Sequence, residues 1–160
     1  MVPLSIEHYA AIGKIAVQCG ILERELDEYL RNLSPGAKSP DGLRRKLWKL
    51  REALASATPG HAASLQLERM LDKVLELVLQ RNTVVHGVWE ADSTTPLVRS
   101  ESIAIGDVSV RARGAASVAN NLRSARMLLL HLLAYHCPAA ASGRERPKSD
   151  PQRLRAQLNL

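Results

Sequence analysis

Apolar residues recur at intervals of three and four along most of this chain, and this spacing restricts the folds that the chain can adopt. From about Ser5 to Leu33 they form one face of a long helix, which consists of Ile12, Ile15, Cys19, Leu22, Leu26, Tyr29 and Leu33. The same period predicts further helices at about residues 42–57, 62–86 and 116–136. Amphipathic helices bury their apolar faces against one another, so the sequence predicts a mainly α fold, an up-and-down four-helix bundle.

The composition agrees with packed helices. Hydrophobic residues make up 46% of the 160 residues, whereas aromatic residues account for 3% and Phe is absent. The core of the predicted single domain must therefore be built from Leu, Val, Ile and Ala. No apolar run approaches the roughly 18 residues of a membrane helix, and no secretory signal precedes the first helix. We therefore expect no membrane contact, a cytoplasmic location, and free thiols at Cys19 and Cys137.

The period changes from helical to alternating after Gly87. Short alternating segments predict β-strands, and these segments are Val88 to Ala91, Leu97 to Ile105 and Val108 to Arg113. Gly106-Asp107, between the last two segments, is a signal for a two-residue hairpin turn. Because a hairpin cannot form a domain by itself, we expect a β-hairpin inserted at about residues 88–113, between the third and fourth helices.

Residues 138–160 predict a basic C-terminal tail after a helical domain that covers residues 1–137. Five cationic and two acidic side chains in the tail give it a charge of +3, half of the chain's net +6. Gly, Ser and Pro residues interrupt any apolar period, so we expect a mobile tail whose removal leaves the thermal midpoint nearly unchanged. The alternative is a short docking helix in which Leu154, Leu158 and Leu160 contact the bundle.

The second helix carries the densest basic cluster of the predicted domain. Its cationic residues are Arg44, Arg45, Lys46, Lys49 and Arg51, around an apolar stripe of Leu43, Leu47, Leu50 and Leu54. One interpretation is a solvated helix face, which is the usual role of such residues. The other is a nucleic-acid footprint, in which Arg44, Arg45 and Lys49 bind the substrate.

The third helix ends in a segment whose arginine and histidine are the best candidates for a functional site. Its apolar face consists of Leu67, Met70, Val74, Leu77 and Val78, and the same spacing continues to Arg81 and Val85. Burying an unpaired guanidinium is costly, so Arg81 should face an anion, a polar pocket or another subunit. His86 lies one turn further on, and Gly87 is a natural helix stop.

Arg81, Asn82 and His86 at this helix end resemble the motif of the HEPN superfamily (higher eukaryotes and prokaryotes nucleotide-binding domains). In that family an arginine, four to six residues and a histidine lie at a helix end, in a bundle that commonly dimerises across the motif. The resemblance covers about residues 5–136. It implies a metal-independent endoribonuclease without cofactors, in which Arg81 and His86 are catalytic and the products carry 2′,3′-cyclic phosphate and 5′-hydroxyl ends.

The resemblance also implies partners. A homodimer would bring two copies of His86 together as acid and base, while Asn82 would orient the phosphate or the histidine. RNA would be the substrate, and an antitoxin or neighbouring protein a partner, in a toxin, defence or RNA-processing role. The alternative is a noncatalytic dimeric helical module that binds RNA, nucleotide or a partner protein, so enzymatic activity stays open.

A second pair with the same spacing lies in the fourth helix. Arg126 and His131 also have four residues between them, but Met127 follows the arginine and the helix continues past the histidine. Because Asn82 follows Arg81 and glycine follows the histidine of the first pair, we favour the first pair.

Arg81 and His86 also have purely structural interpretations. In the first, Arg81 pairs with an acidic residue of the first helix, such as Glu23 or Asp27. In the second, His86 occupies the negative end of its helix, where a positive side chain is stabilised by about 0.3–1 kcal/mol.

Overall fold

The structure is a computed structural model that describes residues 6–57, 60–86, 88–91, 96–99, 108–109 and 112–160. Within these ranges it describes the backbone but not the side chains of residues 83, 86 and 88–113. The described helices are α1 (Ile6–Leu33), α2 (Leu43–Ala57), α3 (His61–His86), α4 (Ala112–His136) and α5 (Pro151–Leu158). Three short strands precede α4, and they are β1 (Val88–Ala91), β2 (Pro96–Arg99) and β3 (Val108–Ser109). The predicted mainly α class is confirmed. None of the described helices is long and apolar enough to cross a membrane.

The three strands pair antiparallel in the order β1-β2-β3. Val88 lies opposite Arg99 in the first pair, and Val98 lies opposite Val108 in the second. A two-residue turn at Gly106-Asp107 would place residue 105 opposite Val108, so the register differs from the predicted one. The turn itself lies outside the described residues, and the predicted hairpin is not shown.

The predicted apolar faces of the helices meet in one core. The largest fully buried side chains come from α1, α2, α3 and α4, and they are Ile15, Leu22, Leu26, Tyr29, Leu50, Leu67, Met70, Leu77, Leu122, Leu128, Leu129 and Leu133. Apart from Tyr29 and Met70 these side chains are all Leu or Ile, in agreement with the composition. Cys19 and Cys137 are both free and buried in it, in agreement with the prediction of free thiols.

The direction of α1 corrects the predicted up-and-down order. Near the middle of both helices, Arg126 of α4 donates to Gln18 of α1 at 2.7 Å. Fourteen residues further along each segment, Asn32 of α1 donates to the carbonyl oxygen of Ala140, which follows α4, at 2.9 Å. Both segments advance from the first contact to the second, which requires α1 and α4 to be parallel. In strict up-and-down order the first and fourth helices would be antiparallel.

The long connection between α1 and α2 explains this difference. Residues 34–42 run back along α1, so that Ser39 Oγ donates to the carboxylate of Asp27. α2 therefore begins beside the middle of α1 rather than at its end, and Lys46 reaches the same Asp27 at 2.8 Å. A tight turn would have forced α2 to run antiparallel to α1, whereas nine residues do not.

The C-terminal segment forms the docking helix that the sequence offered as the alternative to a mobile tail. Leu154 and Leu158 are buried in the core, whereas Leu160 is 47% exposed. Asp150 caps the N-terminus of α5 by accepting from the backbone N–H of Gln152 at 3.0 Å. A capping Asp followed by Pro is a helix start signal, so residues 150–151 carried the evidence for this helix.

Candidate functional site

The end of α3 lies against α1 at Cys19. Arg81 is half-buried there, and its Nη1 donates to Asn82 Oδ1 at 2.8 Å. Burial raises the pKa of the Cys19 thiol above its ordinary value, and the charge and hydrogen bond of Arg81 offset only part of that rise. Cys19 is therefore a neutral thiol at neutral pH, so it touches the guanidinium without neutralising its charge.

His86 is the last residue of α3, five residues after Arg81. Its side chain lies outside the described part of the structure, so its role as acid or base stays a prediction. The structure thus brings Arg81 and Asn82 together.

Arg44, Arg45 and Lys49 form a second group, on the first two turns of α2. Arg44 and Arg45 are exposed, and Lys49 forms an exposed ion pair with Glu52 at 3.5 Å. Lys49 lines a cavity beside α1 that neither Arg81 nor Asn82 lines. The predicted site residues therefore occupy two places on the surface.

Lys46, a member of the basic cluster of α2, forms ion pairs with two acidic residues of α1. It is buried, and its Nζ lies 2.8 Å from Asp27 and 3.1 Å from Glu23. Burial alone would lower the pKa of Lys46, but hydrogen bonds to the two carboxylates raise it above its ordinary value. Glu23, one helical turn after Cys19, thus forms its ion pair with Lys46, although the sequence offered it as a partner of Arg81.

We expect the ion pair of Asp27 to contribute stability that depends on pH. Burial by itself raises the pKa of Asp27, but hydrogen bonds from Lys46 and Ser39 lower it below its ordinary value. The contribution is therefore fully present above the unfolded-state pKa of about 3.9, and it is lost as the pH falls through the lowered folded-state pKa. Asp27→Asn should cost about 1–2 kcal/mol at pH 7, and less as the pH falls below about 4. Urea unfolding of both proteins across this range measures the difference, and a difference that does not change with pH would contradict this origin.

The second arginine and histidine pair belongs to a structural network. Arg126 forms two hydrogen bonds with the carboxylate of Glu25, at 2.7 and 2.8 Å, and His131 Nε2 lies 2.8 Å from the carbonyl oxygen of Ser149. Arg144 binds the same Glu25 at 2.6 Å. Arg126 therefore joins α4 to α1, whereas His131 and Arg144 hold the C-terminal segment against α4 and α1.

The site residues are thus distributed along a short path on one side of α1. The path leads from Arg81 at Cys19, through Glu23, to Lys46 at the cavity. Comparisons with protein-family models, curated proteins and solved structures find no match to this chain.

Proposed function

We propose that the chain is a metal-independent endoribonuclease of HEPN type that acts as a homodimer. The observation that carries the proposal is a half-buried arginine at the end of α3, held by Asn82 within the segment Arg81-Asn82-Thr83-Val84-Val85-His86. A guanidinium presents forked N–H donors that match the oxygens of a phosphate, and this chemistry supports the proposal. The cellular setting in this proposal is a toxin, defence or RNA-processing role in the cytoplasm.

The proposed chemistry uses two histidines and one arginine per cleavage. His86 of one subunit removes the proton of the ribose 2′-hydroxyl, whose oxygen attacks the adjacent phosphorus. The bond from phosphorus to the 5′-oxygen breaks, and the partner subunit's His86 protonates that oxygen. The products are a 2′,3′-cyclic phosphate and a 5′-hydroxyl end.

Arg81 stabilises the charge on the phosphorane oxygens in this mechanism. A guanidinium has five N–H donors in a fixed plane, and the bond from Arg81 Nη1 to Asn82 helps to fix the orientation of that plane. Donors fixed in advance stabilise a transition state more than donors that must first reorganise. Asn82 is thus a positioning residue in the proposal.

The proposed fold is a HEPN-like bundle with an inserted β-hairpin. The mainly α class and the position of the motif at a helix end support it. The parallel packing of α1 and α4 differs from an up-and-down bundle.

The alternative function, a noncatalytic helical module that binds RNA, nucleotide or a partner protein, is favoured by the outer face of α1. Ile6, Tyr9 and Val17 are 83%, 60% and 59% exposed there. Exposed apolar side chains on one helix face suit contact with another protein.

Cleavage of mixed RNA in the presence of EDTA tests the proposed enzyme. His86→Ala should lower the rate by about 100-fold or more, because an acid or base group contributes about 10²–10⁴. Arg81→Ala should lower it by about 10²–10³, as the loss of a transition-state donor does. The measurement is the amount of cyclic phosphate ends, and circular dichroism checks that both variants remain helical.

Two exposed residues of the same helix provide matched controls. His61→Ala and Arg69→Ala change the same residue types on the surface of α3 and should leave the rate unchanged. Cyclic phosphate ends that persist in His86→Ala would show a contaminating nuclease and contradict the proposal. A protein that is strictly monomeric at micromolar concentration would contradict the shared site.

A further inference from the structure

A basic cavity lies between the second half of α1, the connection 34–42 and the start of α2. Its volume is about 370 Å³, within the range of roughly 300–1,000 Å³ that is usual for ligand sites. The charged and hydroxyl side chains that line it are Asp27, Arg31, Ser34, Lys38, Ser39, Asp41, Lys46 and Lys49. Four cations thus face two carboxylates, which gives the lining a charge of +2.

The carboxylate of Asp27 is already bound within the cavity wall. One oxygen accepts from Ser39 Oγ and the other from Lys46 Nζ at 2.8 Å. The lining has one other carboxylate, that of Asp41, beside the three cations of Arg31, Lys38 and Lys49. The bond from Lys49 to Glu52 is long and exposed, so it is weak and a stronger anion can replace it.

The lining also indicates which part of a nucleic acid would fit. It offers ammonium, guanidinium and hydroxyl donors, and none of the side chains that line it is aromatic. Bases are commonly held by stacking on aromatic rings, whereas phosphates are held by cations and hydroxyl groups. The cavity therefore suits the phosphate backbone and not the bases.

We infer that this cavity binds the phosphodiester backbone of single-stranded RNA beside the Arg81 site. The inference rests on the proposed function, since the RNA is the substrate of that enzyme. Arg81 lies at Cys19, Glu23 is one turn further along α1, and Glu23 binds Lys46 in the cavity wall. The α1 residues that line the cavity begin at Asp27, eight residues and about 12 Å along the helix from Cys19. A strand with one phosphate at Arg81 can therefore reach the cavity with a phosphate further along the same strand. Contact through the backbone alone makes this binding independent of base sequence.

The test is the affinity of the full chain for a short labelled oligouridylate, measured by fluorescence anisotropy over a series of salt concentrations. The triple variant Arg31→Ala, Lys38→Ala and Lys49→Ala removes the cavity's accessible cations. We expect its Kd to rise at least about tenfold at physiological salt. The slope of log K against log salt should fall by about 2, because three phosphate contacts contribute about 0.7 each in single strands.

A second triple variant removes the same charge from α3, α4 and α5, which do not line the cavity. Arg69, Arg123 and Arg153 are exposed on these helices, and replacing them with alanine should change Kd by less than about threefold. An equal loss in both triple variants would overturn the cavity as the binding site, since net charge alone would then explain the effect. Uridine monophosphate that competes at the same concentration as the oligonucleotide would overturn the assignment to a strand.

Binding and cleavage are separate readouts, so the two proposals fail separately. Measuring binding in the His86→Ala background keeps the RNA intact. Weaker binding of the first triple variant, without cyclic phosphate ends in the wild type, would support the cavity and overturn the enzyme. Cleavage that depends on His86 with unchanged binding in the triple variant would support the enzyme and overturn the cavity.

Discussion

Replacing Glu25 with glutamine should lower the free energy of unfolding by about 3 kcal/mol or more. The side chain of Glu25 is only 5% exposed, and its two oxygens accept three hydrogen bonds from Arg126 and Arg144 at 2.6 to 2.8 Å. Glutamine keeps the shape but loses the negative charge, so the guanidinium of Arg126, which is 14% exposed, loses its carboxylate partner, whereas Arg144 keeps Glu28. Leaving buried charge uncompensated is among the most costly effects of a point mutation.

Glu28 provides the matched control, on the same helix and bound to the same arginine. It accepts from Arg144 Nη1 at 2.6 Å, but its side chain is 42% exposed. Solvent screens such a pair, so Glu28→Gln should cost less than about 1 kcal/mol. Urea unfolding of both variants at neutral pH measures the difference. Equal costs would show that burial of the ion pair does not determine its contribution.

The contacts of Glu25 with Arg126 and Arg144 also show which features of the structure the sequence does not predict. Glu25 lies three residues after Leu22 and four before Tyr29, so its place on the apolar face could have been predicted from spacing. Its partner Arg144 is 119 residues away, in a segment with no apolar period. Sequence spacing predicts which side chains share a helix face, but it does not predict contacts between distant segments.

The same limit applies to the candidate site. The continued apolar stripe predicted that Arg81 lies on the apolar face of α3, at a core or interface position, and its side chain is half-buried in the structure. The Cys19 thiol beside it, and the ion pair of Glu23 with Lys46, depend on how α1 runs relative to the other helices. A nine-residue connection allows either direction, so these neighbours could not be derived from the sequence.

Ending the chain at Cys137 should strongly destabilise the protein, contrary to the expectation of a dispensable mobile tail. The truncation removes two buried leucines of α5, the hydrogen bonds that Asn32 donates to the carbonyls of Ala140 and Ser142, and Arg144 from the Glu25 network. Burial of a leucine alone contributes about 2–5 kcal/mol, so the total loss should exceed about 5 kcal/mol. At about 2–4 °C per kcal/mol, the thermal midpoint should fall by at least about 10 °C, which calorimetry measures.

Two leucines near the C-terminus separate the effect of docking from that of chain length. Leu158 is 1% exposed and Leu160 is 47% exposed, although only one residue lies between them. Leu158→Ala should therefore cost about 2–4 kcal/mol through the cavity that it leaves, whereas Leu160→Ala should cost less than about 1 kcal/mol. Both variants keep the full chain and replace leucine with alanine, so the two positions differ in whether the leucine is buried against the core. If the two costs were equal and small, α5 would not contribute to the core, and the truncated chain would then be expected to keep its thermal midpoint.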